Sequence, residues 1–230
     1  MPDSPRPRCL GLVGGVGVGA AVHYYRELSK AHEARKAVFD VVMVNADMRR
    51  GVQFVERHDL RGLADYLASL VARMKCAGAE LAAIPAVTPH ICIREMIEVS
   101  PLPLVNLLDA VAEEVRARQL RRVAVFGTRF VVETGLFGAL SPIEVVQPRA
   151  DEIDFIHKTY FDLAFSGIGT PEHRAGLTKL AHELCRRDGA EAILLAGTDL
   201  ALIFNETNTD FPHVDCAQVH LRAIERALFA

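Results

Sequence analysis

Short apolar runs that end in Gly, Pro, Asn or Thr alternate along the chain with longer stretches of helical periodicity, the pattern of strand and helix units built around parallel sheets. The runs predict strands over residues 9–13, 39–45, 81–84, 102–106, 122–126, 144–147, 192–195 and 213–215. The clearest helix covers 59–76, where Leu60, Leu63, Leu67, Leu70, Val71 and Met74 share one face and Asp59, Arg61, Asp65 and Arg73 lie off it. Core packing accounts for that stripe. A further helix is expected over 151–166, and another is opened by Thr170 as N-cap with Pro171 at the first helical position, closing near Arg187 before Asp188-Gly189.

A faint internal duplication organises these elements. The first strand runs into Val13-Gly14-Gly15 and the strand near residue 125 into Phe126-Gly127-Thr128; later strands run into Ile84-Pro85-Ala86-Val87-Thr88 and Leu195-Ala196-Gly197-Thr198-Asp199. Each half thus supplies one glycine-containing and one threonine-containing loop at the carboxyl ends of its strands, where open parallel sheets bind ligands. The expected architecture is α/β: two similar lobes, each a parallel four-stranded sheet flanked by helices, with an active site in the cleft between them. Phe211-Pro212 reads as a crossover, so residues 1–106 with 211–230 are expected to form one lobe and 107–210 the other.

Composition narrows the function classes. The 230 residues are half hydrophobic, carry a net charge of −3 and contain no basic run, so nucleic acid is not an expected partner. No apolar stretch approaches the roughly 20 residues of a membrane helix. Residues 1–8 lack the apolar region of a signal peptide, and a soluble, cytoplasmic protein is expected. The five cysteines, Cys9, Cys76, Cys92, Cys185 and Cys216, are scattered and form no C-x-x-C pair, which points to buried thiols rather than disulfides or a metal site.

Several loops carry candidate chemistry. Thr88-Pro89-His90 reads as a helix start with Thr88 as cap, where unsatisfied N–H groups favour a carboxylate and His90 is kept neutral, either as a base or as a structural residue. In Gly197-Thr198-Asp199, Gly197 permits close approach, Thr198 can cap and Asp199 suits the first turn, with or without a ligand. The run from Gly14 to Ala20 contains a relaxed dinucleotide fingerprint, with Asp47 as its ribose acid; Asp47 lies beyond the usual spacing, so a nicotinamide or flavin enzyme is the outside reading. Arg49 and Arg50 follow in what reads as a loop and could clamp a carboxylate. His157 and Lys158 show no legible partner, and helical spacing explains Cys216 with His220 without catalysis.

Taken together, Gly11-Leu12-Val13-Gly14-Gly15 with Tyr24-Tyr25, Ile84-Pro85-x-x-Thr88-x-His90, Phe126-Gly127-Thr128-Arg129-Phe130 and Thr198-Asp199 resemble the aspartate/glutamate racemase superfamily over nearly the whole chain. The resemblance implies a cofactor-independent isomerase, commonly a homodimer, that binds an acidic amino acid or related carboxylate between two lobes. With the loop readings above, substrate contact is expected at Gly14, Asp47, Arg49, Ala86, Val87, Thr128 and Gly197, and catalysis at Thr88, His90, Thr198 and Asp199. In that family the threonine loops read Pro-Cys-Asn-Thr and Gly-Cys-Thr-Glu, and the two thiols move the α-proton from opposite faces. Here the cysteine positions hold Ala86 and Gly197, the asparagine is Val87 and the glutamate is Asp199. Neither Ala86 nor Gly197 can move a proton. Three readings therefore stay open: a racemase-like enzyme using His90 or Asp199, a decarboxylase or lyase on the same scaffold, and a carboxylate binder without turnover.

Overall fold

The computed structural model describes residues 6–230, so the first five residues of the leading segment considered above lie outside it. Within the described residues the chain divides into two compact units, residues 6–107 with 220–230 and residues 108–219. The first unit contains β1 (Leu10–Gly14), α1 (Val18–Ala34), β2 (Val41–Asn45), α2 (Met48–Glu56), α3 (Leu60–Cys76), β3 (Leu81–Ala83), a 3-10 helix (Thr88–Cys92) and α4 (Ile93–Val99). Helix α5 (Leu107–Ala117) leads into the second unit, which contains β4 (Arg122–Phe126), α6 (Arg129–Glu133), β5 (Glu144–Val146), α7 (Ala150–Ser166), α8 (Pro171–Asp188), β6 (Ala192–Leu195), a 3-10 helix (Thr198–Leu202) and β7 (His213–Asp215). The last helix, α9 (Cys216–Leu228), returns the chain to the first unit.

Both sheets are parallel, ordered β2-β1-β3 and β5-β4-β6-β7. The α/β class and the helix-flanked parallel sheets are those the sequence pattern predicts. The first sheet has three strands rather than four: the stretch 102–106 makes only one bridge, Ala82 to Leu104. Pro101 and Pro103 explain this, because neither can donate to a ladder. The Pro103 carbonyl accepts from the Ala82 N–H, the Val105 N–H donates to the Ala82 carbonyl, and pairing ends there. β7 also differs from expectation. It pairs with β6 in register Ile193–His213 to Leu195–Asp215, and the return to the first unit begins only at His220, inside α9.

The apolar runs lack alternation because both faces of each sheet are covered. Cys9 and Val13 belong to a core with Leu63, Leu67, Val71 and Met74 of α3, while Leu10 and Leu12, on the opposite face of β1, are equally buried. In the second unit Ala124 and Phe126 pack with Ile156, Leu163, Leu177 and Leu184 from α7 and α8. The ends of α8 follow the sequence signals: the Thr170 hydroxyl accepts from the His173 N–H at 3.2 Å, and Gly189 closes the helix with φ 69°. Thr170→Ala is expected to cost about 1 kcal/mol in chemical denaturation; an unchanged midpoint would show that the cap does not stabilise α8. No helix among the described residues is long and apolar enough to cross a membrane.

Candidate functional site

The loops at the carboxyl ends of β1 and β2 are shaped by close backbone approach. A Cβ on Gly14 would collide with the Asn45 side-chain oxygen, and Gly15, at φ 76°, lies against the backbone of Ala46. These glycines are accounted for by the fit of β1 to β2, with no phosphate needed. Asp47 is the N-cap of α2, its Oδ1 accepting from the Arg49 N–H at 2.9 Å and the Arg50 N–H at 3.4 Å, while its own N–H donates to the Tyr66 hydroxyl at 2.6 Å. That places Arg49 and Arg50 in the first turn of a helix, where a loop was expected. Arg49 is exposed, and the Arg50 guanidinium lies 4.5 Å over the Tyr66 ring.

After β3 the chain stays buried through Ala86 and Val87, and a 3-10 helix begins one residue earlier than the Thr-Pro signal implies. Val87 occupies the cap position in helical conformation, and Thr88 is already inside the helix. His90, 2% exposed, is held at both ring nitrogens. Nδ1 lies 2.8 Å from the Ala86 carbonyl oxygen and so must carry the proton it donates there; Nε2 accepts the Leu107 N–H at 3.3 Å. The ring thus joins two backbone segments, with both of its nitrogens engaged.

Its neighbour on α9 is His220, which in the sequence reads only as a helical-spacing partner of Cys216. The His220 ring stands edge-on to His90, centroids 6.0 Å apart. Its Nε2–H donates to the Val105 carbonyl at 2.9 Å, which leaves Nδ1 to accept from the Tyr24 hydroxyl at 3.2 Å. Burial first, and the facing His90 second, push the His220 pKa down to about 3. The ring is neutral and structural, consistent with reading Cys216 and His220 as helical spacing rather than as a nucleophile and base.

In the second unit, Thr128 caps α6, its hydroxyl accepting from the Val131 N–H at 3.4 Å. The Arg129 N–H donates to His157 Nδ1 at 3.1 Å, the partner that the sequence did not reveal; burial and then the Arg129 charge hold the His157 pKa below its usual value. The Arg129 side chain pairs with Glu133 and Asp154.

The loop after β6 is a closely enclosed polar place. Thr198 and Asp199 are each 1% exposed, and Gly197, not Thr198, holds the cap position of the short helix. Tyr160 of α7 reaches this loop, and its hydroxyl donates to Asp199 Oδ2 at 3.3 Å. Burial, followed by the charge and hydrogen bond of Asp199, pushes the Tyr160 phenol far above its ordinary pKa, against an opposing hydrogen bond with the Thr198 side chain. Gly197 has an extended backbone, φ −135° and ψ 115°, that any residue adopts. What excludes a side chain is space: a Cβ there would fall on the edge of the Tyr160 ring, 2.6 Å from Cδ2 and nearer still to Cε2. The close approach expected at Gly197 is thus made by a tyrosine ring.

Four of the five thiols are pushed away from the thiolate form. Burial, then Asp40, raises Cys9 to about 11; burial, then Glu95, raises Cys92 to about 12; burial raises Cys185, and burial with Asp215 raises Cys216 further. Among the described residues no group of three or more His, Cys, Asp or Glu side chains could hold a metal ion.

Residues 13–224 match the family model described as Asp/Glu/Hydantoin racemase. Among solved structures, the fold is similar to that of an aspartate racemase homologue from Pyrococcus horikoshii, at 25% identity and a TM-score of 0.78, over 96% of this chain and 99% of that one. A candidate Asp/Glu racemase from Yersinia pestis matches at 23% identity and a TM-score of 0.80, over 96% and 99% of the two chains. An arylmalonate decarboxylase shares the fold at 17% identity and a TM-score of 0.52, over 96% and 92%.

Proposed function

The chain belongs to the Asp/Glu/hydantoin racemase family, and on that premise we propose that it transforms a small carboxylic acid, such as an amino acid, by cofactor-independent proton transfer at the carbon next to the carboxylate. The observation that carries the reading is the buried cluster of Thr198, Asp199 and Tyr160 at the carboxyl end of β6. Ligands of parallel sheets bind beyond such strand ends, and a buried acid with hydroxyl neighbours is equipped to bind a polar group and move a proton. The loop after β3 offers no equivalent: Ala86 and Val87 are apolar and both nitrogens of His90 are engaged.

That inequality favours decarboxylation as the second reading. Inversion at carbon is served by proton groups on two faces, whereas a carbanion left by loss of carbon dioxide needs only one donor. The fold similarity to an arylmalonate decarboxylase is compatible with this and carries no further weight.

Incubation in D2O with a panel of amino, hydroxy and malonic acids, followed by NMR, separates the readings. Deuterium at the α-carbon of recovered acid is expected for the first, and carbon dioxide with a monodeuterated product for the second. A panel recovered unchanged, with one member raising the melting temperature, would leave a binder without turnover.

A further inference from the structure

We propose that Tyr160 is the proton donor of the second unit, its ring standing where a side chain at position 197 would lie and its hydroxyl held beside Thr198 and Asp199. The inference rests on the proposed function and names the group that performs its proton step.

Three observations lead to it. First, Gly197 and Tyr160 form a complementary pair: the backbone of Gly197 would accept any residue, and the atoms nearest its Cβ position belong to the Tyr160 ring. The loop has thus exchanged a side chain of its own for one delivered from α7. Second, what is delivered is a proton-bearing group. The Tyr160 hydroxyl donates to Asp199 Oδ2 at 3.3 Å, and both side chains are closed off from bulk water, at 9% and 1% exposure. Third, no other candidate remains at the two positions that ordinarily hold thiols: Ala86 has no ionisable group, and His90 beside it spends one nitrogen on the Ala86 carbonyl and the other on the Leu107 N–H.

The environment fixes the direction of transfer. A tyrosinate here would place a second negative charge against Asp199 with little water to screen it, so the phenol stays protonated and regains a lost proton readily. It is suited to give a proton, not to take one. In a decarboxylation the bond to the departing carboxylate breaks, carbon dioxide leaves and the electron pair stays on carbon. That pair then forms a C–H bond with the Tyr160 proton, the O–H pair remains on the phenolate, and water returns the proton. In a proton-exchange reaction the substrate α-proton passes to the Asp199 carboxylate and the carbanion is quenched by Tyr160 in the same way. In both cases one donor serves one face, so a single hand of product is expected.

The test uses the full chain in D2O with three probes, L-aspartate, D-aspartate and phenylmalonate. Wild type is expected to place deuterium at carbon with one handedness on at least one probe. Tyr160→Phe, which keeps the ring over Gly197, is expected to lower kcat by about 100-fold or more with KM within a few-fold. Asp199→Asn supplies the second measurement should the phenylalanine variant not fold: on a probe that is decarboxylated, the loss of the neighbouring charge is expected to give kcat a fall at alkaline pH that wild type lacks, and on a probe that is only exchanged, kcat is expected to be lost with the base. Wild-type turnover with neither variant altered in these ways would overturn the role of Tyr160 while leaving the proposed function standing. Racemic product would also overturn the single-donor assignment alone. A wild type inert to all three probes would count against both.

Discussion

Lowering the pH from 7 to 4 is expected to cost this protein about 3 kcal/mol through His220 alone. In the unfolded chain a histidine titrates near 6.5, whereas buried His220 titrates at about 3 in the folded protein. Between those values the unfolded state binds a proton that the folded state refuses. Stability therefore rises with pH across that window, is fully present above about 6.5 and is lost as pH falls toward 3, at about 1.4 kcal/mol per pH unit. The cause is local. Protonating Nδ1 would turn the acceptor of the Tyr24 hydroxyl into a donor, in a site that also faces His90, and Nε2 already gives its proton to Val105. Urea denaturation at pH 7, 5.5 and 4, for wild type and His220→Gln, reads the effect. The glutamine amide can still donate to Val105 and accept from Tyr24 but cannot titrate. Acid-sensitive carboxylates such as Glu152, held low chiefly by its hydrogen bonds to Arg187, act in both proteins and cancel in the difference. The stability of wild type relative to the variant is expected to decline steadily as pH falls. A difference independent of pH would refute the buried neutral assignment.

The contrast between His220 and His90 on one side and the strands on the other shows what a sequence makes legible. β4, β6 and β7 were readable at their full length because an apolar run between turn residues is a local signal, and the α8 cap was readable because Thr170, Pro171 and His173 are neighbours in the chain. The fourth strand of the first sheet was over-read, since Leu102 and Leu104 supply the apolar signal while the prolines beside them limit pairing to a single bridge. The site was harder because its partners are distant. His90 read equally as a base or a structural residue, and the partners that hold its two nitrogens, a backbone carbonyl four residues before it and an N–H seventeen residues after it, were not legible. His220 meets Tyr24 across 196 positions and Val105 across 115. Tyr160 lies 39 positions from Asp199 on the core face of an amphipathic helix, where an aromatic residue reads as packing. The sequence marked the loops at Thr88 and at Thr198-Asp199 as candidates, and Ala86 and Gly197 as departures from the pattern it resembles. It carried no sign of the Tyr160 ring that lies against Gly197.

That contact predicts a measurable coupling between two residues never adjacent in the chain. Gly197→Cys would put a side chain back at this position, and the Tyr160 ring stands in its way. The variant is expected to lose about 1–3 kcal/mol, the usual range for overpacking a filled core. Tyr160→Ala removes a large buried side chain and is expected to lose about 3–5 kcal/mol, the range for truncating a core aromatic to alanine. In the double variant the thiol enters the volume the ring has vacated, so its loss should fall short of the sum of the two singles by about 1–3 kcal/mol, the coupling typical of residues in contact. Additivity within about 0.5 kcal/mol would mean that the two positions do not share the space the geometry assigns to both. The thiol introduced by Gly197→Cys gives an independent reading on the same proteins: its labelling should be slow behind the intact ring and faster once Tyr160 is alanine, and equal rates would count against the ring as its cover. A coupling of the expected size would explain why glycine stands at position 197 although its backbone is extended: with tyrosine at position 160, any larger side chain must displace the ring that holds Asp199.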